Sequence, residues 1–112
     1  MAALAATSVT TVGGVADIEG AAVAAAGGGD TAPVGDGYFL FVANGDASPH
    51  TATLATPGTV AGHAIADATL VVAAGEFGII PLTNLFRGAT GRAAITYDAV
   101  TSVTVAVFKL GA

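Results

Sequence analysis

The stretch Tyr38-Phe39-Leu40-Phe41-Val42-Ala43-Asn44-Gly45-Asp46 decides how this chain folds. Five large or branched apolar side chains stand in a row, so both faces of a strand built from them are apolar. A strand of that kind is central and covered on both sides. Asn44-Gly45-Asp46 then supplies the strongest turn signal of the sequence, because Asn and Gly tolerate the backbone angles of tight turns. The next strand spans residues 50–56 and alternates, with Ala52 and Leu54 on one face and Thr51 and Thr53 on the other. Pro57-Gly58 ends it.

The same grammar repeats downstream. Residues 68–73 form a strand around Leu70, Val71 and Val72, Gly75-Glu76 turns the chain, and residues 77–82 return, with Pro81 placing that strand at a sheet edge. Gly88-Ala89-Thr90-Gly91 reads as a hairpin connection. Arg92, Ala94, Thr96 and Asp98 then point one way while Ala93, Ile95 and Tyr97 point the other. Residues 102–110 carry Val103, Val105 and Val107 on one face and Ala106, Phe108 and Leu110 on the other, a second strand covered twice. About seven to eight short strands with regular turns predict an all-β chain: a single β-sandwich, Ig-like or jelly-roll-like.

Upstream, residues 1–36 are dominated by Ala, Gly, Val and Thr and read as an Ala/Gly-rich N-terminal arm and extended segment, with residues 37–112 as the sandwich core of one domain. Val9-Thr10-Thr11-Val12 favours a strand through its β-branched side chains, and Gly13-Gly14 breaks it. Residues 17–26 are extended or irregular, since Gly20 interrupts any helix. Gly27-Gly28-Gly29-Asp30 is a flexible turn.

Composition narrows the function classes. The 112 residues suffice for one core, and the absence of cysteine leaves the redox compartment open. Hydrophobic residues make up 54% of the chain and charged ones 10%, against roughly 25% charged in typical soluble domains. The apolar excess is mostly Ala and Val, and no uninterrupted run of about 18 apolar residues exists to span a membrane. Two causes fit the charge-poor composition: a surface covered by neighbouring protein, and the codon bias of a GC-rich genome. With a net charge of −5 and three separated basic residues, Arg87, Arg92 and Lys109, there is no basic stripe for direct nucleic-acid binding. The first six residues lack the basic n-region of a signal peptide, which predicts synthesis in the cytoplasm.

Chemistry-bearing motifs are missing. His50 and His63 are the only histidines; a zinc site wants three or four protein ligands, so both read as solvent-facing loop residues. Ser8, Ser48 and Ser102 are the only serines and none occupies a nucleophile elbow. Ser48 stands two residues before His50 without a paired acid to orient it. Most of the eight carboxylates adjoin turns, where Asp caps backbone amides. Asp-Gly alternation over residues 28–37 misses the ligand order of a calcium loop. No enzyme, metal or cofactor is expected.

The segments Asn44-Gly45-Asp46 to His50-Thr51-Ala52-Thr53-Leu54, Thr56-Pro57-Gly58-Thr59-Val60, residues 66–75, and Ile95-Thr96-Tyr97-Asp98 onward to Val107 resemble small β-rich virion proteins of tailed phages infecting actinobacteria. The likeness covers residues 27–110 and departs at Gly78-Ile79-Ile80-Pro81-Leu82, where the family tends to a Gly-Pro-Phe-like turn. The resemblance implies a head decoration or minor capsid protein on the outer capsid surface, with the major capsid protein and further copies of itself, such as a trimer, as partners. The alternative readings are a tail or head–tail connector subunit, or a carbohydrate-binding module on the virion surface. Val9 and Val12 in the arm, with Phe86 and Arg87 beside the Gly88 turn, are the expected interface residues, Phe86 as a surface anchor; Phe39 and Phe41 are packing residues that read first as core.

Overall fold

A computed structural model describes residues 2–110 and shows an all-β sandwich. Its strands in chain order are β1 (Ala2–Ala3), β2 (Ala6–Val9), β3 (Val23–Ala24), β4 (Asp30–Ala32), β5 (Tyr38–Asn44), β6 (His50–Leu54), β7 (Thr59–Val60), β8 (His63–Ala64), β9 (Ala68–Val72), β10 (Phe77–Pro81), β11 (Ala93–Tyr97) and β12 (Val103–Leu110). Two short 3₁₀ turns, Glu19–Ala21 and Asn84–Phe86, interrupt them.

The first sheet runs β1-β4-β11-β6-β9 and the second β10-β5-β12-β2, with β3 also on β12. Every pairing among β4, β11, β6 and β9 is antiparallel, as is every pairing among β3, β12, β5 and β10. Among these eight strands each connection crosses between sheets except β6 to β9, which pair with each other. That is the strand order of a jelly roll, the second of the two sandwich types expected.

β5 and β12 are central in the second sheet, and both bury both faces, as their unbroken apolar sequence predicts. Leu40, Val42, Val103, Val105 and Val107 point inward against Ala52, Leu54, Val72 and Ile95 of the first sheet. Phe41, Ala43, Ala106 and Phe108 point outward and form a second cluster, covered by Val9, Val15, Ala21 and Ala22. The residues between β2 and β3 thus cross the outside of the sheet and cover its phenylalanines.

The first third of the chain contributes four short strands, β1 to β4, to the two sheets. β1 runs parallel to β4 on one sheet and β2 parallel to β12 on the other, so the chain changes sheets at Leu4 and Ala5. Leu4 is buried at that step, and the Arg92 guanidinium donates to the Leu4 and Thr31 carbonyls and to Thr31 Oγ1. The strand expected over Val9–Val12 lies earlier: Val9 is its last residue and Gly13 and Gly14, at φ +86° and +59°, turn the chain.

Two glycines matter for packing. A Cβ on Gly29 (φ +95°) would meet the Ile95 carbonyl at 2.7 Å, so the approach to β4 requires glycine. On Gly78 it would press against Leu70 and Val72 at 3.2 and 3.3 Å; the missing side chain lets β10 close on β9 where the two sheet edges meet.

The turn signals were obeyed in position but not in kind. Asn44-Gly45 is a corner that carries the chain from one sheet to the other. Gly88 and Gly91 close a tight turn (Gly91 N–H to Gly88 O, 2.9 Å), yet the strands on either side, β10 and β11, belong to different sheets. The tight two-residue hairpin is β7–β8, closed by Ala61-Gly62 with φ +53° and +81°.

Candidate functional site

Each sheet has an outward face, and the two differ. On the first, register places Thr96 beside Thr53, and Thr53 beside Thr69. Thr31, Thr51, Ala94 and Val71 complete that face. Its hydroxyls are half or fully exposed and carry no formal charge.

On the second, Pro81, Phe39 and Phe108 lie side by side, then Ile79, Phe41 and Ala106, then Phe77 and Ala43. Phe39 stacks on Phe108 at 5.5 Å, and Phe41 meets Phe77 and Phe108 at 5.7 and 6.4 Å, geometries that add to simple area burial. The crossing segment covers only part of this face. Phe77 remains 57% exposed and Ile79 62%, with Leu110 also exposed at the end of β12. A hollow of about 410 Å³ opens there, lined by Tyr38, Phe39, Ile79, Pro81 and Leu110, with Asp36 at its rim. A second hollow, about 320 Å³, lies between Ile18 and Phe77 and is edged by Asp17 and Glu19.

The expected interface residues scatter. Val9 packs against the outer phenylalanine cluster, Val12 is 89% exposed in the turn after β2, and Arg87 is exposed. Phe86 is corrected: it is 5% exposed and belongs to the core between the sheets. The 3₁₀ turn Asn84–Phe86 rotates successive side chains by about a third of a circle, which turns Phe86 inward and leaves Leu85 outside. The exposed face formed by Phe77 and Ile79 escaped the sequence reading. Its signal was there: β10 is apolar on both faces, yet Pro81 marks it as an edge strand.

His50 is the other correction. It is buried at the start of β6 rather than facing solvent from a loop. Its Nε2 lies 2.8 Å from Asp46 Oδ2 and its Nδ1 3.3 Å from Asp98 Oδ1, joining the β5–β6 and β11–β12 corners. Both ring nitrogens can donate only in the imidazolium form. The Asp46 hydrogen bond, helped by Asp98, pushes His50 above its ordinary 6.5, and burial opposes the rise. Asp46 is held below the usual carboxylate value chiefly by His50, and Asp98 chiefly by the Thr51 N–H, with Ala99 N–H adding. The two carboxylates sit at opposite ends of one ring, so they do not converge on a common point. Ser48 takes no part in this contact; its carbonyl accepts from Asn44 Nδ2 at 2.8 Å. His63 is exposed on the β7–β8 hairpin.

Asp30, expected in a flexible turn, opens β4 and is fully buried; Tyr97 donates to its Oδ2 at 2.7 Å. Burial, followed by the Asp30 carboxylate, drives the Tyr97 phenol upward and keeps it un-ionised. Among the described residues no group of three or more His, Cys, Asp or Glu is placed to hold a metal ion, and no helix is long and apolar enough to cross a membrane.

Comparison with protein-family models, with curated proteins and with solved structures gives no match for this chain.

Proposed function

We propose that this chain is a non-enzymatic virion protein, a decoration or cement protein that binds the outer surface of a phage capsid and stabilises the shell. The observation that carries the reading is the outward face of the second sheet, where Phe77 and Ile79 stand exposed beside a cluster of phenylalanines. Exposed apolar surface of this kind on one sheet face supports a reading of it as a contact site for another protein. The choice of a capsid as partner comes from the resemblance of residues 44–75 and 95–107 to small virion proteins of actinobacterial phages.

The physical role is a clamp. A rigid sandwich seated across adjacent capsid subunits opposes their separation. A stable interface of this type buries roughly 1,200–2,000 Å² in total. Many symmetric copies raise effective affinity beyond that of any one contact. Mass spectrometry of virions from the source culture, followed by cryo-EM of the particles, tests the reading. The expected result is density on the outer shell with Phe77 and Ile79 against the capsid. Absence from the virion, or a place confined to the tail, refutes it.

A further inference from the structure

We propose that the outward face of the second sheet receives a protein surface with an apolar centre and a lysine- or arginine-bearing rim, and not a second copy of this chain. The inference rests on the reading of this face as an interface with another protein, and it names that protein's chemistry.

The charge distribution around the face carries the argument. Its apolar centre, Phe77, Ile79 and Pro81, lies between two hollows. Every charged residue lining either hollow is acidic: Asp36 at the Leu110 end, Asp17 and Glu19 at the Ile18 end. A two-fold dimer uses the same patch on both copies. Lys109 stands over the Tyr38 ring beside the Leu110 end, yet a second copy laid on this face would still bring three acids and a single lysine on each side. Like charges juxtaposed at an interface disfavour the wrong partner, and opposite charges guide the right one. The net charge of −5 extends the same preference to longer range.

The shape points the same way. The larger hollow has room for a bulky side chain, and aromatic and arginine side chains seated in such pockets dominate the energetics of interfaces. Arginine and lysine reach their charge through an apolar stem. A single such residue can therefore cover Ile79 or Leu110 while its head meets Asp36.

Two synthetic amphipathic peptides with one apolar centre, flanked by lysines in the first and glutamates in the second, test this on the intact protein. Titration into isotopically labelled protein, followed by NMR, reads both affinity and location. The lysine peptide is expected to bind at least about tenfold more tightly, with shifts centred on Phe77 and Ile79. Its advantage disappears in the triple variant Asp17→Asn, Glu19→Gln, Asp36→Asn. It also fades between about 0.1 M and 1 M salt, where the screening length falls from roughly 10 Å to 3 Å. The double variant Phe77→Ser, Ile79→Ser is expected to lose binding while keeping a cooperative melting transition only slightly lowered, because both side chains are more than half exposed.

Equal affinity for the two peptides, preference for the glutamate peptide, or no binding of either overturns the proposal. So does a dimer in sedimentation that Phe77→Ser abolishes. Absence of the chain from virions would remove the capsid and leave a measured lysine preference standing; equal peptide binding would remove the preference and leave a capsid location intact.

Discussion

Across the outer face of the first sheet run Thr96, Thr53 and Thr69, whereas across the second run Pro81, Phe39 and Phe108. Both rows are uncharged, although Arg92 and Asp98 flank the first and Asp17, Glu19 and Asp36 the second, and they achieve this by opposite means. The threonine face meets water through hydroxyls on β-branched side chains that suit a strand. The phenylalanine face is part core: residues between β2 and β3 lie over Phe41, Ala43, Ala106 and Phe108, and leave Phe77 and Ile79 uncovered. A composition poor in charge therefore has two sources in one molecule. On one side it reflects a neutral polar surface. On the other it reflects an apolar sheet that the chain itself covers in part.

The largest effect expected from this contrast is at Phe108, which is buried on the outward side of its sheet. If the crossing segment makes that side a second core, Phe108→Ala should cost about 3–5 kcal/mol, as a buried Phe truncated in any core does. Phe86→Ala, between the sheets, is the reference and should cost a similar amount. Chemical denaturation of the two variants decides. A loss at Phe108 near zero would break the comparison, because it would mean that the covering segment contributes no packing in solution.

The sequence made the sheets legible and concealed the corners. Strands β5 and β12 were readable because apolar residues at consecutive positions admit no other environment than one covered twice. β11 was readable from strict alternation. Asn44-Gly45, by contrast, carried a hairpin signal and forms a corner. The Asn44 side chain is taken by the Ser48 carbonyl and by the Val72 carbonyl at 3.0 Å, and its Oδ1 accepts the Asp46 N–H. These partners are up to 28 residues distant in sequence, so a local turn preference could not foresee them. The hairpin that does form uses Ala61-Gly62, and alanine at positive φ advertises nothing. Phe86 misled for a similar reason: its exposure depends on a single 3₁₀ turn. His50 and Asp98 are separated by 48 positions, and no spacing rule connects them.

A smaller effect is expected at the corner that joins the two sheets, where His50 bridges Asp46 and Asp98. The His50 value is raised in the fold, so its contribution is complete below about pH 6.5, the unfolded value, and is lost as pH rises through the folded one. Asp46 and Asp98 are lowered, so their contribution is present above the unfolded value of 3.8 and is lost as pH falls through their folded values. The bridge is therefore strongest between these limits. Melting temperatures of the native protein and of His50→Gln, followed from pH 5 to pH 9, should converge as pH rises. A constant gap across that range would show that the two corners are held together without the imidazolium.

The smallest effect tests the threonine face. Thr96 is exposed on β11 and faces Thr53, so Thr96→Ala removes a hydroxyl that already meets water and shortens a cross-strand pair worth roughly 0.2–1 kcal/mol. The expected change in stability is within about 0.5 kcal/mol, as for surface substitutions generally. Binding through the opposite face should be unaffected, because the intervening sandwich separates the substitution from Phe77 and Ile79. A change in partner affinity comparable to that of the Phe77→Ser, Ile79→Ser variant would place the interface on the threonine side. The scarcity of charge there would then serve recognition by hydroxyl groups, and the exposed phenylalanine side would lose its standing as the docking face.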